Sequence, residues 1–258
     1  MVHSPLRSAA VATGAALSVL ALAAVPAAAA TGAGTPAAKD ASVPSDPTLQ
    51  EIQAAARTDI ANRVTSLDAA VGRVRAAGDL GGDQGALLGT LGGDLSGLAQ
   101  LGQTISSDTS VASAQSDFQQ IFSGFRVYAL VLPVTALVSA DDHVTNSAAP
   151  KLTAEASRIA ARETPTDQAQ VQPLLSDLAT EVSAATAAVG GQATALEADT
   201  PADWNANHDL VSPATAATRS AVGDLAQART DAREAAADVG ATLGRSGGAA
   251  PGTTDPTT

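Results

Sequence analysis

No cysteine occurs anywhere in the chain. Its absence excludes disulfides, thiolate chemistry and lipid anchoring through a cysteine lipobox, and leaves packing alone to stabilise a fold. Aromatic residues are almost as scarce, at three Phe, one Tyr and one Trp. Basic residues are few as well: 14 Lys and Arg stand against 26 Asp and Glu, a net charge of −12. Such a field repels nucleic acid and anionic headgroups, so no nucleic-acid partner is expected. The alternating apolar and polar pattern of a half-buried strand is also missing.

What fills the 258 residues is chiefly Ala, Thr, Ser and Gly. Alanine is the best helix former and loses no side-chain entropy, so the composition predicts an all-α protein. The first thirty residues carry the three parts of a secretory signal: basic Arg7, an apolar stretch densest from Ala15 to Val25, and an Ala-x-Ala site at Ala28–Ala30 after Pro26. Residues 1–30 therefore read as a signal peptide cleaved near Ala30, the alternative being a retained membrane anchor. Residues 31–45 read as a flexible linker and 245–258 as a disordered tail, both rich in Pro, Gly, Ser or Thr without periodicity.

Between them the spacing predicts an elongated antiparallel bundle of five or six helices with coiled-coil-like seams and no β-sheet over 46–244. Asp46 and Pro47 offer an N-cap and first position for a helix whose seam is Ile60, Val64, Leu67, Val71 and Val74. Leu88, Leu91, Leu95, Leu98 and Ile105 continue the heptad in a second helix from about Gln84. A third is expected after Asp108, along Val111, Ala114, Phe118, Ile121, Phe125, Tyr128 and Leu132, with a kink or break at Pro133 and a second possible one at Pro150. Thr164-Pro165-Thr166-Asp167 and Thr200-Pro201-Ala202-Asp203 each supply a Thr cap, a Pro at the first position and an acid at the third. Ser212-Pro213 opens the last long helix, expected to end at Leu243–Gly244. Arg75 and Arg162 each stand twelve residues before a Leu-Leu-x-x-Leu run. Either the match is chance or it marks two sub-bundles meeting near 133–150.

Three segments stand out as surfaces for packing or interaction. Gly85, Gly89, Gly93 and Gly97 recur every four residues, a spacing that permits close helix approach in membranes and otherwise marks a helix of low intrinsic stability. Phe118, Phe122, Phe125 and Tyr128 cluster before a continuous apolar run, and Trp204 follows in a second motif. That clustering suits a bundle core; a membrane-touching or partner-binding patch is the other reading. Arg126, inside the apolar run, fits either a buried ion pair or a side chain reaching water past its own stem. Asp141-Asp142-His143 and His208-Asp209 lack ligand pairs at helical spacing and read as solvated charge; no metal site, cofactor or catalytic set is expected.

The stretches Ile121-Phe122-Ser123-Gly124-Phe125-Arg126-Val127-Tyr128-Ala129-Leu130-Val131-Leu132-Pro133 and Asp203-Trp204-Asn205-Ala206-Asn207-His208 resemble a group of uncharacterised secreted helical proteins of actinobacterial type. The resemblance spans roughly residues 48–243 and implies export and a helical fold, with no activity to carry over. The resulting expectation is an exported, non-enzymatic helical-bundle protein at the cell envelope or outside the cell, with an envelope component or a second copy as partner. The alternative expectation is a membrane-active protein that inserts residues 85–138.

Overall fold

A computed structural model describes residues 47–246, with side chains placed through Gly240. The expected signal peptide, linker and Asp46 cap lie outside these residues, as does the expected tail beyond Ser246. Within them every regular element is helical and no strand occurs, so the fold is an all-α helical bundle. The helices are α1 (Leu49–Ala76), α2 (Asp83–Ser107), α3 (Val111–Ser123), α4 (Leu132–His143), α5 (Ala149–Ala160), α6 (Gln168–Val189), α7 (Gln192–Glu197), α8 (Pro201–Ala206) and α9 (Ser212–Ser246).

Local chemistry sets the ends. Thr48, not Asp46, caps α1: its hydroxyl accepts from the Glu51 amide at 3.3 Å while Glu51 Oε2 accepts from the Thr48 amide at 2.8 Å, a complete capping box. Thr200 and Asp203 form the expected box on α8, with Pro201 at the first position. At α6 only half of the device forms. The Thr164 amide donates to Asp167 Oδ1 at 2.6 Å, and the regular helix begins one turn later than the Thr-Pro pair suggests. Ser110 rather than Asp108 caps α3, its hydroxyl accepting from the Ser113 amide at 3.1 Å. α9 runs two residues past the expected stop at Gly244; at 35 residues it is about 52 Å long.

The helical run is not broken at Pro133. The helix breaks earlier, at Gly124–Arg126, where Arg126 adopts the left-handed conformation with φ 46°. From Val127 to Ala160 the backbone then runs on as one rod: a π-helical turn (Val127–Val131), α4, a second π-helical turn (Val144–Ala148) and α5. A proline ring clashes with the carbonyl four residues back, which is Ala129 for Pro133 and Asn146 for Pro150. Both carbonyls lie within the widened π turns, where the Leu132 amide bonds to the Val127 carbonyl and the Ala149 amide to the Val144 carbonyl. A widened turn precedes each proline, and the helical run passes both.

The buried side chains fall into two cores joined by that rod. The first collects Leu67, Leu91, Leu98, Ile105, Ile121 and Leu130 from α1, α2, α3 and the rod's first half. The second gathers Leu152, Ile159, Val171, Leu178 and Leu225 with a run of alanines from α5, α6 and α9. Most of the largest fully buried side chains belong to the first core, and the second supplies only Leu178 and Leu225. At about 1.5–3 kcal/mol for each fully buried large apolar side chain, the first core carries more of the hydrophobic stabilisation. In the second, Ala185, Ala221, Ala228 and Ala235 are completely buried, so α6 and α9 lie together along small side chains.

The seam of α1 differs from the expected one. Its buried positions are Ile52, Ala56, Asp59, Arg63, Leu67, Ala70 and Val74, with Ile60 and Val71 flanking them half-buried. Two charged residues thus occupy the middle of a buried stripe.

Candidate functional site

The glycine stripe does not face another helix. Gly85, Gly89 and Gly93 are exposed, and a Cβ added at any of them would meet nothing within 4 Å. Gly97 differs: its Cβ would lie 2.6 Å from Cε1 of Phe125, whose ring covers the backbone there. The compensation expected for a run of helical glycines exists at one position of the four.

The aromatic segment turns inward. Phe118 and Phe122 meet edge to face, with centroids 5.3 Å apart, and both pack against the first core. Between Phe122 and Tyr128 lies the Arg63 guanidinium, 4.5 Å and 5.3 Å from the two ring centroids, with Asp59 Oδ1 at 3.7 Å. Arg63 and Asp59 are 4% and 1% exposed, so this pair is held away from water by the rings that stack on it. The Tyr128 hydroxyl lies 3.3 Å from Ser66 Oγ. Arg126, half-buried, donates from Nε to Asn205 Oδ1 at 2.6 Å. Trp204 stacks on His208 at 5.7 Å and packs against the first core from α8.

A second polar cluster, where the two cores meet, went unread in the sequence. Asp141 and Asp142 are buried rather than solvated. They are consecutive on α4 and point to different neighbours. Asp141 accepts from Gln192 Nε2 of α7 at 2.7 Å and from the Thr218 hydroxyl of α9 at 2.8 Å. Burial raises its carboxyl above the usual range, against the lowering effect of those two bonds. Asp142 accepts from Asn146 Nδ2 at 3.2 Å through Oδ1, while Oδ2 is buried with no hydrogen-bond partner. Burial, followed by the negative charges of Asp83, Asp79, Glu197 and Asp141, pushes Asp142 up to about 6.

The α1–α2 connection brings Asp79 and Asp83 to this place, turning at Gly81 with φ 53°, a conformation that only glycine adopts without strain. Asp79 Oδ2 bonds His143 Nδ1 at 2.7 Å, and its carbonyl accepts from Asn146 at 2.9 Å. An open cleft of about 700 Å³ adjoins the cluster, lined among others by Asp79, Asn146, Lys151 and Arg158. Among the described residues, no three His, Cys, Asp or Glu side chains are placed to hold one metal ion.

The sequence contained a signal for part of this. Val127, Val131, Val134, Val138 and Asp141 continue one alternation of four and three residues, so Asp141 lies on the phase of a buried seam. Asp59 and Arg63 lie on the phase of Ile52 and Ala56 in the same way. Compared with known proteins, the chain matches no family model, no curated protein and no solved structure.

Proposed function

We propose that the chain is an exported, non-enzymatic helical-bundle protein with a structural or binding role at the cell envelope or outside the cell. One observation supports a self-contained module above the others. The side chains best suited to gripping a membrane, Phe118, Phe122, Phe125 and Tyr128, are half-buried and packed against the first core, with Arg63 and Gly97 among their contacts. The signal-like residues 1–30 favour a life outside the cytoplasm, where the acidic surface serves solubility. The partner on this reading is an envelope component or a second copy of the chain.

A specific observation favours the second reading, membrane insertion of residues 85–138. The helical run Val111–Ala160, taken through its break at Gly124–Arg126, is apolar and long enough by composition to cross a membrane. Core helices of soluble proteins pass the same test.

Liposome flotation of purified protein, with zwitterionic and anionic vesicles side by side, separates the two. The module reading expects all protein in the soluble fraction with its helical circular dichroism unchanged. Recovery with the vesicles sinks it in favour of insertion. Export is tested separately, by expressing the full chain in a Gram-positive host and sequencing the N-terminus of the protein in the medium and wall fractions. Thr31 as the first residue is the expected result, and an intact Met1 in the cytosol refutes export.

A further inference from the structure

We propose that the polar cluster between the two cores is a proton-operated clasp, closed when Asp142 is neutral and loosened when it ionises. Asp142 is 9% exposed, yet one carboxylate oxygen has no hydrogen-bond partner. A buried carboxylate left in that state is disfavoured unless it is paired with a cation or takes up a proton. The charged groups that act on it come from three neighbouring elements and its own helix. Asp79 lies in the α1–α2 connection, Asp83 at the start of α2 and Glu197 in α7, with Asp141 beside it on its own helix. The same burial and the charge of Asp83 raise Glu197 as well, whose Oε1 is likewise buried without a partner.

Among the described residues, the basic side chains beside the cluster bond other partners. His143 is turned to Asp79 through Nδ1, Lys151 bonds Ser147 at 3.0 Å and Arg158 bonds Glu155 at 2.9 Å. Among the described residues the carboxylates do not converge as metal ligands do, and the clasp invokes the proton as the species that relieves their repulsion. The open cleft beside Asp79 and Asn146 gives water a route to the cluster.

The elements tied by these groups are the ones that join the cores. Asn146 spans from the second π turn to Asp79 and Asp142, and Gln192 from α7 to Asp141 and Thr218. Ionising Asp142 adds a negative charge beside Asp83, Asp79, Glu197 and Asp141 and pushes the α1–α2 connection and α7 away from α4. The movement uncovers Leu80 and Leu196, which the first core buries, while the other apolar contacts of both cores persist, so the expected change is local opening rather than unfolding. The clasp requires only these contacts and holds whether or not the chain is exported.

The absence of cysteine makes the test direct. In the full chain, Gly78→Cys and Thr194→Cys, both at exposed positions, take a pair of spin labels for distance measurement at pH 5.0 and 7.5. The expected result is one short distance at pH 5.0 and a longer, broader distribution at pH 7.5. Hydrogen exchange of unlabelled protein, corrected for intrinsic rates, gives the second readout. Peptides covering 77–84, 141–148 and 192–199 are expected to be at least tenfold better protected at pH 5.0. Asp142→Asn, which mimics the neutral carboxyl, is expected to keep that protection at both pH values. Unchanged distances and equal protection in the parent chain overturn the clasp even if the variant does not fold. A folded Asp142→Asn protein that opens with pH as the parent does overturns the assignment to Asp142. Asp94, also held near 6, lies about three turns along α2 from Asp83, and the local readout separates it.

Discussion

Arg126 and Asn205, 79 residues apart in the chain, hold α8 across the break between α3 and the long rod. The guanidinium donates to Asn205 Oδ1 at 2.6 Å, and Asn205 Nδ2 donates in turn to the Ser123 carbonyl at 3.1 Å. The carbonyl so engaged belongs to the last residue of α3, which has no helical partner of its own at that end. One amide side chain therefore ties both sides of a left-handed turn.

Asn205→Ala removes both bonds. The expected loss is about 1 kcal/mol, because the groups released are near water. The sharper readout is limited trypsin digestion: cleavage after Arg126 should accelerate severalfold while the melting temperature falls by about 2–4 °C. Unchanged cleavage at Arg126 would show that α8 does not guard the turn.

Gly89→Ala and Gly97→Ala are expected to differ although they occupy the same repeat. At Gly89 the methyl enters open space and the helix gains about 1 kcal/mol. At Gly97 the same gain is offset by displacement of the Phe125 ring from 2.6 Å, so this variant is expected to melt no higher than the parent. Two thermal melts by circular dichroism decide it, and equal stabilisation of both would contradict the ring contact.

Arg63→Ala is expected to destabilise the chain by about 3–5 kcal/mol, since it strips the guanidinium from a buried carboxylate and two aromatic faces. Arg63→Met, which keeps the apolar stem, should lose less of the ring packing. Denaturant midpoints of the two variants give the comparison; equal losses would mean that the stem contributes nothing.

The seam positions Leu67, Leu91, Leu98 and Ile121 were legible in the sequence because heptad spacing and burial on a helix are the same fact seen twice. The capping box of Thr200 was legible for a similar reason, as its partners lie three residues apart. The charged members of the seams were not. Asp59, Arg63 and Asp141 occupy core phase, but charge is ordinarily assigned to water, and what allows their burial lies far along the chain. Thr218 is 77 residues from Asp141, and Phe122 and Tyr128 come from other elements than Arg63. The passage of the rod through Pro133 was hidden too, because a π turn follows from how the rod packs against two cores and has no short sequence signature.

Stability is expected to fall as pH rises from about 4 to about 7. Burial holds Asp94 at about 6, above the ordinary 3.8, and Asp142 behaves alike. The folded chain therefore keeps protons that the unfolded chain releases. The resulting stabilisation is fully present below about pH 4 and is lost as pH rises through about 6. Asp94→Asn should raise the denaturant midpoint at pH 7.5 and flatten this slope. A midpoint that climbs with pH over the same interval would reverse the sign and refute the assignment.

The two π turns make the rod a counting device. Each carries one residue more than an α-helical turn, and one residue is about 100° of rotation around the helix axis. Val127, Leu130 and Val134 face the first core; Val144, Leu152 and Ile159, after the second turn, face the second. Deleting a single residue from 127–131 or 144–148 would leave the apolar content nearly unchanged and turn everything downstream to the wrong side. In this stretch, chain length is under tighter constraint than side-chain identity. Conservative substitutions should be absorbed there, whereas a one-codon deletion should uncouple the two halves of the protein.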